Sequence, residues 1–391
     1  MSAMDVDHHR VDVYLEDALN NAPPTLRPFF QRFRTLYDQK RWHQLTLAVN
    51  EFLADSDSGP FQVDLFNRFV RDFEGKINQL RLAEMGVKVC RQIEDPQKTL
   101  GLLTSLLVRI NVETSPEAHI LLLSTLAKVK LLFGDLEGTK ADVDKCEQVL
   151  DSLDSVEGGV NAAFYRVAAD YYAAKVEYGP YYKNSLLYLA CINPETDLDA
   201  AERLSRAHDL AIAALLGDTI YNFGELLMHP ILDSLNGSEY EWIRDLLFVF
   251  NSGNIGKFEV FATQFNREPI LAVNHTFLRQ KICLMALIET VFQRKGRADK
   301  ERPIGFQTIA EETRLPQDEV EHLVMKALSL KLIRGTLDQV SEQAHISWVQ
   351  PRVLGRDQIE QLAVRLNDWT ERLGRVETFV ASQDLFAGVT A

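Results

Sequence analysis

The chain has few cysteines, and none of them stands in a metal-binding or redox pattern. Cys90, Cys146, Cys191 and Cys283 are separated by 56, 45 and 92 residues in a chain of 391. Zinc-binding and redox-active cysteines recur within roughly two to four residues of each other. So few thiols in so long a chain indicate reduced cysteines in a reducing compartment. The sequence therefore predicts no metal site and no cofactor.

Long hydrophobic runs are also missing. The most apolar stretch, residues 119–133, is interrupted by Lys128 and Lys130, whereas a membrane helix needs about 20 apolar residues. Residues 1–17 contain acids and His8-His9 where a secretory signal has an apolar segment. We therefore expect no membrane association and a location in the cytoplasm and nucleus.

Positive charge is in short supply. Lys and Arg total 42 against 56 Asp and Glu, which gives a net charge of -14 and a pI near 5.2. Proteins that bind phosphate groups need a basic face. This balance argues against nucleic acid or an anionic membrane as the main partner.

The motifs of common enzymes are absent. The sequence has no His-Glu-x-x-His zinc motif and no Gly-x-Ser-x-Gly nucleophile elbow. Gly134-Asp-Leu-Glu-Gly-Thr-Lys is faintly similar to a phosphate-binding loop, but it lacks the Gly-Lys-Thr order and falls in a turn between helices. We assign no catalytic residues, and a binding protein is favoured over an enzyme.

Helical periodicity is what the sequence has in abundance. Over residues 27–275, apolar residues recur at spacings of three and four. Glycines follow apolar segments at Gly134, Gly179, Gly217 and Gly253, which are 45, 38 and 36 residues apart. A period near 40 residues is typical of stacked helical hairpins. The pattern predicts a mostly α fold with an α-solenoid of helical hairpins, and an irregular helical domain is the alternative.

Residues 1–26 show no comparable pattern and are predicted to be a disordered or irregular tail. A change of character after the basic stretch 294–300 marks a second module, residues 276–353. Its predicted elements follow in the order helix, strand, helix, helix, strand, strand, with the last five at 304–306, 307–314, 316–331, 333–340 and 345–350. This is the order of a winged helix.

A winged helix binds either DNA or protein, and its charge separates the two. Residues 301–352 contain six basic and eight acidic residues, so the net charge is 6 − 8 = −2. Asp318, Glu319 and Glu321 open the helix that would enter the major groove, where phosphate contacts need positive charge. The module is therefore expected to bind protein through its strand edge, with Ile346 and Trp348 as candidate interface residues.

The sharpest period in the chain lies in residues 355–382. Apolar residues there are separated by 3, 4, 3, 4, 3 and 4 residues: Ile359, Leu362, Leu366, Trp369, Leu373, Val376 and Val380. That spacing is the a/d seam of a coiled coil or helical bundle. We predict a C-terminal bundle helix with these seven residues at a protein interface, followed by a tail over 383–391. A helix packed on its own domain is the alternative.

The chain resembles the PCI family, whose members join helical repeats to a winged helix. Four segments carry the resemblance. They are Tyr182-Lys-Asn-Ser-Leu-Leu-Tyr-Leu-Ala, Leu215-Leu-Gly-Asp-Thr-Ile-Tyr-Asn-Phe-Gly-Glu-Leu-Leu-Met-His-Pro-Ile-Leu, Glu319-Val-Glu-His-Leu-Val-Met-Lys-Ala-Leu-Ser and His345-Ile-Ser-Trp-Val-Gln-Pro-Arg-Val-Leu. A PCI domain is expected over approximately residues 170–353.

The resemblance implies a non-catalytic structural subunit of the proteasome regulatory-particle lid, which serves ubiquitin-dependent protein degradation. The implied partners are other lid subunits, joined through winged-helix edges and a bundle of terminal helices that includes the deubiquitinase module, together with a ubiquitin receptor. Two other PCI complexes, the signalosome and a translation-initiation factor, are the alternative.

Overall fold

The computed structural model describes residues 3–295, 303–351, 353 and 356–382. It divides the chain into two compact units, Met1–Leu198 and Asp199–Ala391. The boundary falls inside residues 27–275, the segment predicted as one solenoid. The predicted tail over 383–391 lies outside the described residues.

Unit one is entirely helical in its described part. Prolines at the first turn begin α7 and α8, and the side chains of Asn78, Asp95 and Asp135 cap α6, α7 and α9 by accepting backbone N–H groups. The helices are α1 (Ala3–Asn21), α2 (Arg27–Asp38), α3 (Trp42–Ala54), α4 (Gly59–Leu65), α5 (Arg71–Phe73), α6 (Gln79–Cys90), α7 (Pro96–Arg109), α8 (Pro116–Leu132), α9 (Leu136–Asp151), α10 (Gly158–Ala174), α11 (Tyr178–Cys191) and α12 (Pro194–Asp197).

The prediction of a disordered or irregular tail over 1–26 is wrong. Residues 3–21 form α1, and Val11, Tyr14, Leu15 and Ala18 are buried in the core of unit one. Their spacing of 3, 1 and 3 residues makes a single helical stripe. Acids interspersed along the stripe lower its average hydropathy, which explains why composition hid the pattern.

An aromatic cluster holds the N-terminal helices of unit one together. Phe30 of α2 meets Phe52 of α3 edge-on at 5.4 Å between ring centres, and Phe33 stacks on Phe69 at 5.8 Å. Phe69 lies in a π-helical turn, Phe66–Val70, and meets Phe73 at 5.2 Å. Such pairs add about 0.5–1.5 kcal/mol each beyond the burial of their area.

Two of the four glycines that were predicted to end helices do so in the left-handed conformation. Gly134 follows α8 and Gly253 ends a helix of unit two, and both adopt the left-handed conformation, with φ of 79° and 65°. Gly179 instead lies inside the first turn of α11, and the left-handed residue before it is Val176. Gly217 ends a helix with φ of -64°, which any residue adopts.

Unit two begins with helices and ends with the winged helix and a long terminal helix. Its elements are α13 (Ala200–Leu216), α14 (Gly224–Met228), α15 (Glu241–Ser252), α16 (Ile255–Ala262), α17 (Pro269–Val273), α18 (His275–Lys295), β1 (Ile304–Gly305), α19 (Phe306–Thr313), α20 (Gln317–Ser329), β2 (Ile333–Asp338), β3 (Gln343–Val349) and α21 (Arg356–Ser382). From α18 to β3 the order is the one predicted for a winged helix.

The three strands form one antiparallel sheet in the order β1-β3-β2. β2 pairs with β3 along its length, with Ile333 opposite Val349 and Asp338 opposite Gln343. A register irregularity lies between Arg334 and Gly335. β1 pairs only with Gln343 and Ala344, so β3 is the central strand and β2 is an edge.

Candidate protein-interaction surfaces

The predicted seam lies on α21, and the structure leaves it uncovered. The seven seam residues are between 43% and 63% exposed. Every described side chain from 359 to 380 on this helix is exposed. In the described structure the seam therefore does not pack on the rest of its own domain.

The opposite face of α21 is mainly polar. Glu360, Asp368, Glu371 and Arg375 lie there, and Arg375 forms an ion pair with Glu371 at 3.5 Å. A large apolar stripe on a free helix marks a surface that another helix covers. The helix thus presents one apolar face and one solvated face.

Ile346 and Trp348 lie on the central strand β3, not on the sheet edge where the prediction placed them. Both side chains are half-buried. The guanidinium of Arg334 on β2 covers the Trp348 ring at 4.7 Å, a cation–π contact. An added strand would therefore pair with β2, or with β3 beyond Ala344, where β1 ends.

Several basic side chains of the winged helix already contact other groups of this chain. Arg314 forms an ion pair with Glu259 at 2.9 Å, and Lys326 donates to the side chain of Gln280 at 2.8 Å. Arg334 stacks on Trp348, while Asp318 and Glu319 occupy the first turn of α20. These contacts reinforce the expectation, drawn from the net charge, that α20 does not dock on the phosphates of nucleic acid.

A groove of about 630 Å³ opens on unit one, and sequence reasoning missed it. Its lining is mainly apolar and also includes charged residues of both signs, Glu84, Lys88, Arg91 and Glu94. The volume is that of a ligand or peptide site. The lining comes from residues spread over more than a hundred positions, so no local motif could signal it.

The thiols are unsuited to nucleophilic catalysis. Burial raises the pKa of Cys90 to about 12 and the pKa values of Cys146 and Cys283 to about 11, so they stay protonated at neutral pH. Within the described residues, no cluster of three His, Cys, Asp or Glu could hold a metal ion. None of the described helices is long and apolar enough to span a membrane.

His208 has the surroundings of a structural cation, not of a general base. Its Nδ1 lies 3.2 Å from Asp209 Oδ1 and its Nε2 lies 3.2 Å from Glu268 Oε1. Hydrogen bonds to Asp209 and Glu268 raise the pKa of His208. With both ring nitrogens facing carboxylates, the imidazolium form donates twice and has no lone pair left to accept a proton.

Lys281 on α18 is almost fully buried, at 1% exposure. Its Nζ donates to the carbonyl oxygens of Ala214 at 2.8 Å, Leu215 at 3.0 Å and Gly217 at 2.6 Å. These carbonyls belong to the end of α13, where helices have unpaired acceptors and a partial negative charge. Lys281 therefore caps α13 from another helix.

Family models match the chain in two places. The model described as PSD13 N-terminal repeats matches residues 29–247, and the model described as PCI domain matches residues 257–348. The second span contains α18 to β3 almost completely, which agrees with the winged helix. It is shorter than the 170–353 predicted for the PCI domain.

Curated relatives match nearly the whole chain. The 26S proteasome regulatory subunit RPN9 of Saccharomyces cerevisiae is 38% identical over 383 residues, covering 95% of this chain and 96% of the relative. The 26S proteasome non-ATPase regulatory subunit 13 homolog A of Arabidopsis thaliana is 38% identical over 369 residues, covering 92% and 94%. Eukaryotic translation initiation factor 3 subunit M of Xenopus tropicalis is 28% identical over 189 residues, or 48% of each chain.

Helical repeats, a winged helix and a free terminal helix define a PCI protein, so the resemblance inferred from the sequence is confirmed. The repeat model alone matches more than half of the chain, and the full-length relatives agree with it. The chain belongs to the family of 26S proteasome non-ATPase regulatory subunit 13.

Proposed function

We propose that the chain is a non-catalytic structural subunit of the proteasome regulatory-particle lid, acting in ubiquitin-dependent protein degradation. Relatives named as proteasome regulatory subunits match it from end to end. The observation that carries the structural role is the uncovered seam of α21, because a protein seldom leaves seven large apolar side chains in one row unless a partner covers them.

The partners in this proposal are other lid subunits. The seam of α21 joins a bundle of terminal helices that includes the deubiquitinase module. The winged-helix sheet, with Ile346, Trp348 and the free edge of β2, contacts a neighbouring PCI subunit. A ubiquitin receptor is a further partner, the chain requires no cofactor, and it works in the cytoplasm and nucleus without binding nucleic acid or membrane.

Burial of the seam supplies the free energy of this contact. Covering a large apolar side chain contributes about 1.5–3 kcal/mol, and about 1.4 kcal/mol changes an equilibrium constant tenfold. Trp369 and Leu373 lie near the middle of the seam. Losing both therefore weakens assembly by roughly 100-fold or more.

The test is the double variant Trp369→Asp with Leu373→Asp, expressed in cells in place of the wild-type chain. We expect it to be lost from proteasomes purified through a core-particle subunit. The isolated variant keeps the wild-type melting temperature, since both side chains are already exposed. The matched control is Val364→Asp with Asn367→Asp on the opposite face of α21, which assembles normally. Normal assembly of the seam variant, or its unfolding alone, contradicts the proposal.

The alternative is a PCI scaffold of the signalosome or of a translation-initiation factor. The translation-factor relative covers only about half of this chain, which makes that assignment weaker. Mass spectrometry of proteins that co-purify with the tagged chain decides among the three complexes. Lid and core-particle subunits support the proposal, whereas signalosome or initiation-factor subunits overturn it.

Absence of catalysis is part of the same proposal. The purified chain is expected neither to cleave ubiquitin chains nor to hydrolyse ATP. The thiol of Cys90 is buried and protonated, both ring nitrogens of His208 face carboxylates, and the amine of Lys281 is buried against backbone carbonyls. Reproducible turnover that a single substitution abolishes would contradict it.

A further inference from the structure

The seam of α21 is basic along one of its two edges. Arg365 and Arg372 each come directly before a seam residue, Leu366 or Leu373, and they are seven residues apart. Residues seven apart lie on the same side of a helix, so the two arginines form one basic edge. The other edge, which follows Leu362, Trp369 and Val376, is formed by Ala363, Thr370 and Glu377.

The arginines of the basic edge have no ion-pair partner in the part of the chain that the structure describes. Arg375 shows the contrast, because it lies on the opposite face and pairs with Glu371 at 3.5 Å. Both Arg365 and Arg372 are exposed. The basic edge is therefore available to a partner that covers the seam, whereas Arg375 on the outer face already pairs with Glu371.

Residues that flank an a/d seam meet the flanking residues of the partner helix and set its identity and direction. We propose that the helix covering α21 carries Asp or Glu beside its own seam, spaced to meet Arg365 and Arg372. This inference rests on the proposed function and adds the chemistry of the partner. It makes the contact dependent on ionic strength.

A second copy of this chain fits the basic edge less well. In an antiparallel pair of copies the two arginine edges would face each other, which places like charges together. In a parallel pair Arg372 would meet Glu377, but Arg365 would meet Thr370. At most one of the two arginines would find an acid, so the geometry favours a different chain as the partner.

The test is a competition between tagged wild-type chain and the variant Arg365→Glu with Arg372→Glu, both expressed at equal levels in the same cells. The ratio of the two forms in purified proteasomes is measured by isotope-resolved mass spectrometry. We expect the variant to be depleted roughly 2- to 30-fold, the range given by two exposed ion pairs. The depletion should diminish when assembly is repeated in vitro at higher salt.

Two further variants define the outcomes. Arg375→Glu on the outer face should compete equally with wild type, and Arg365→Lys with Arg372→Lys should be depleted much less than the glutamate variant. If Trp369→Asp with Leu373→Asp is excluded but the Arg365 and Arg372 reversals compete equally, the charge inference is wrong and the proposed function stands. If neither variant is excluded, the proposed function itself is wrong. If sedimentation shows that the isolated chain dimerises and Arg372→Glu abolishes the dimer, a second copy is the partner and the inference is overturned.

Discussion

Replacing Lys281 tests whether a buried cation holds the end of α13. In the variant Lys281→Met the side chain keeps its length but loses all three N–H donors to Ala214, Leu215 and Gly217. Leaving a buried acceptor unpaired costs about 1–3 kcal/mol, and this cost is partly offset because an ammonium no longer has to be buried. We expect the variant to lose about 2–4 kcal/mol of local stability.

The same lysine gives the stability a predictable dependence on pH. Burial lowers the pKa of Lys281 from 10.5 to about 7, and the negative charge of Asp218 opposes the shift. Between these two pKa values the unfolded chain holds a proton that the folded chain has released, which leaves the folded amine two N–H donors for the three carbonyls. Because the unfolded state binds more protons there, stability rises with pH in that window. The cost of charging the buried amine is fully present below pH 7 and fades as the pH approaches 10.5. From pH 7 to 9 wild type should gain about 2 kcal/mol relative to Lys281→Met.

Hydrogen exchange of the full-length chain measures both effects. Wild type and variant have the same intrinsic exchange rates at a given pH, so the ratio of their protection factors gives the difference in opening free energy. In peptides from α13 and α18 we expect protection at pH 7 to fall roughly 30- to 700-fold in the variant. Peptides from α8 should not change. The exposed Lys257→Met serves as the matched control.

Unchanged protection of α13 in Lys281→Met would show that its terminal carbonyls do not depend on the lysine. A protection ratio that stays constant from pH 7 to pH 9 would show instead that the amine does not titrate in that range. Either result refutes part of the reasoning, and the two failures are distinguishable because the first appears at a single pH.

Three other predictions follow from particular contacts. Asp209 and Glu268 raise the pKa of His208 above 6.5, so this histidine stabilises the fold below that pH and the effect is lost as the pH rises through the folded pKa. The melting-temperature difference between wild type and His208→Gln should therefore shrink from pH 5.5 to 8. A difference that stays constant over this range contradicts the prediction. Gly253→Ala should cost about 1–3 kcal/mol more than Gly134→Ala in urea unfolding. Both glycines have positive φ, but only at Gly253 does an added Cβ come within 2.7 Å of Ala286 Cα; equal costs contradict the steric reasoning. The full-length chain should bind duplex DNA only weakly and at low salt, and retention near physiological salt in a filter assay would overturn the interpretation of the winged helix.

The elements that sequence reasoning placed well are those with a strict local signal. The 3-4 spacing from Ile359 to Val380 predicted a helix over 355–382, and α21 occupies Arg356–Ser382. Pro316 and the acids after it marked the start of α20, which begins at Gln317. Both signals depend on neighbouring residues alone, so the tertiary contacts of the rest of the chain do not change them.

The features that were missed depend on contacts between distant residues. Lys281 looks like an ordinary surface lysine in the sequence, although it follows Phe277 and Leu278 and opens the apolar run beginning at Ile282. A lysine inside an apolar stripe was the available signal, but its acceptors lie more than sixty residues away. The strand order was missed for the same reason, since no local pattern reveals that β3 lies between β1 and β2.

Perturbed pKa values often mark catalytic sites, because catalysis needs groups that are both shifted and accessible. In the described part of this chain several of the shifted groups fail the second condition. The thiols of Cys146 and Cys283 are buried. The amine of Lys281 is buried and lies within hydrogen-bonding distance of three carbonyl oxygens, and both ring nitrogens of His208 face carboxylates. The apolar side chains show the reverse arrangement, since the row from Ile359 to Val380 is exposed where a monomer would gain by burying it. A subunit that is held in place by its neighbours needs this combination: its ionisable groups are engaged inside the fold, and an apolar surface is exposed outside it.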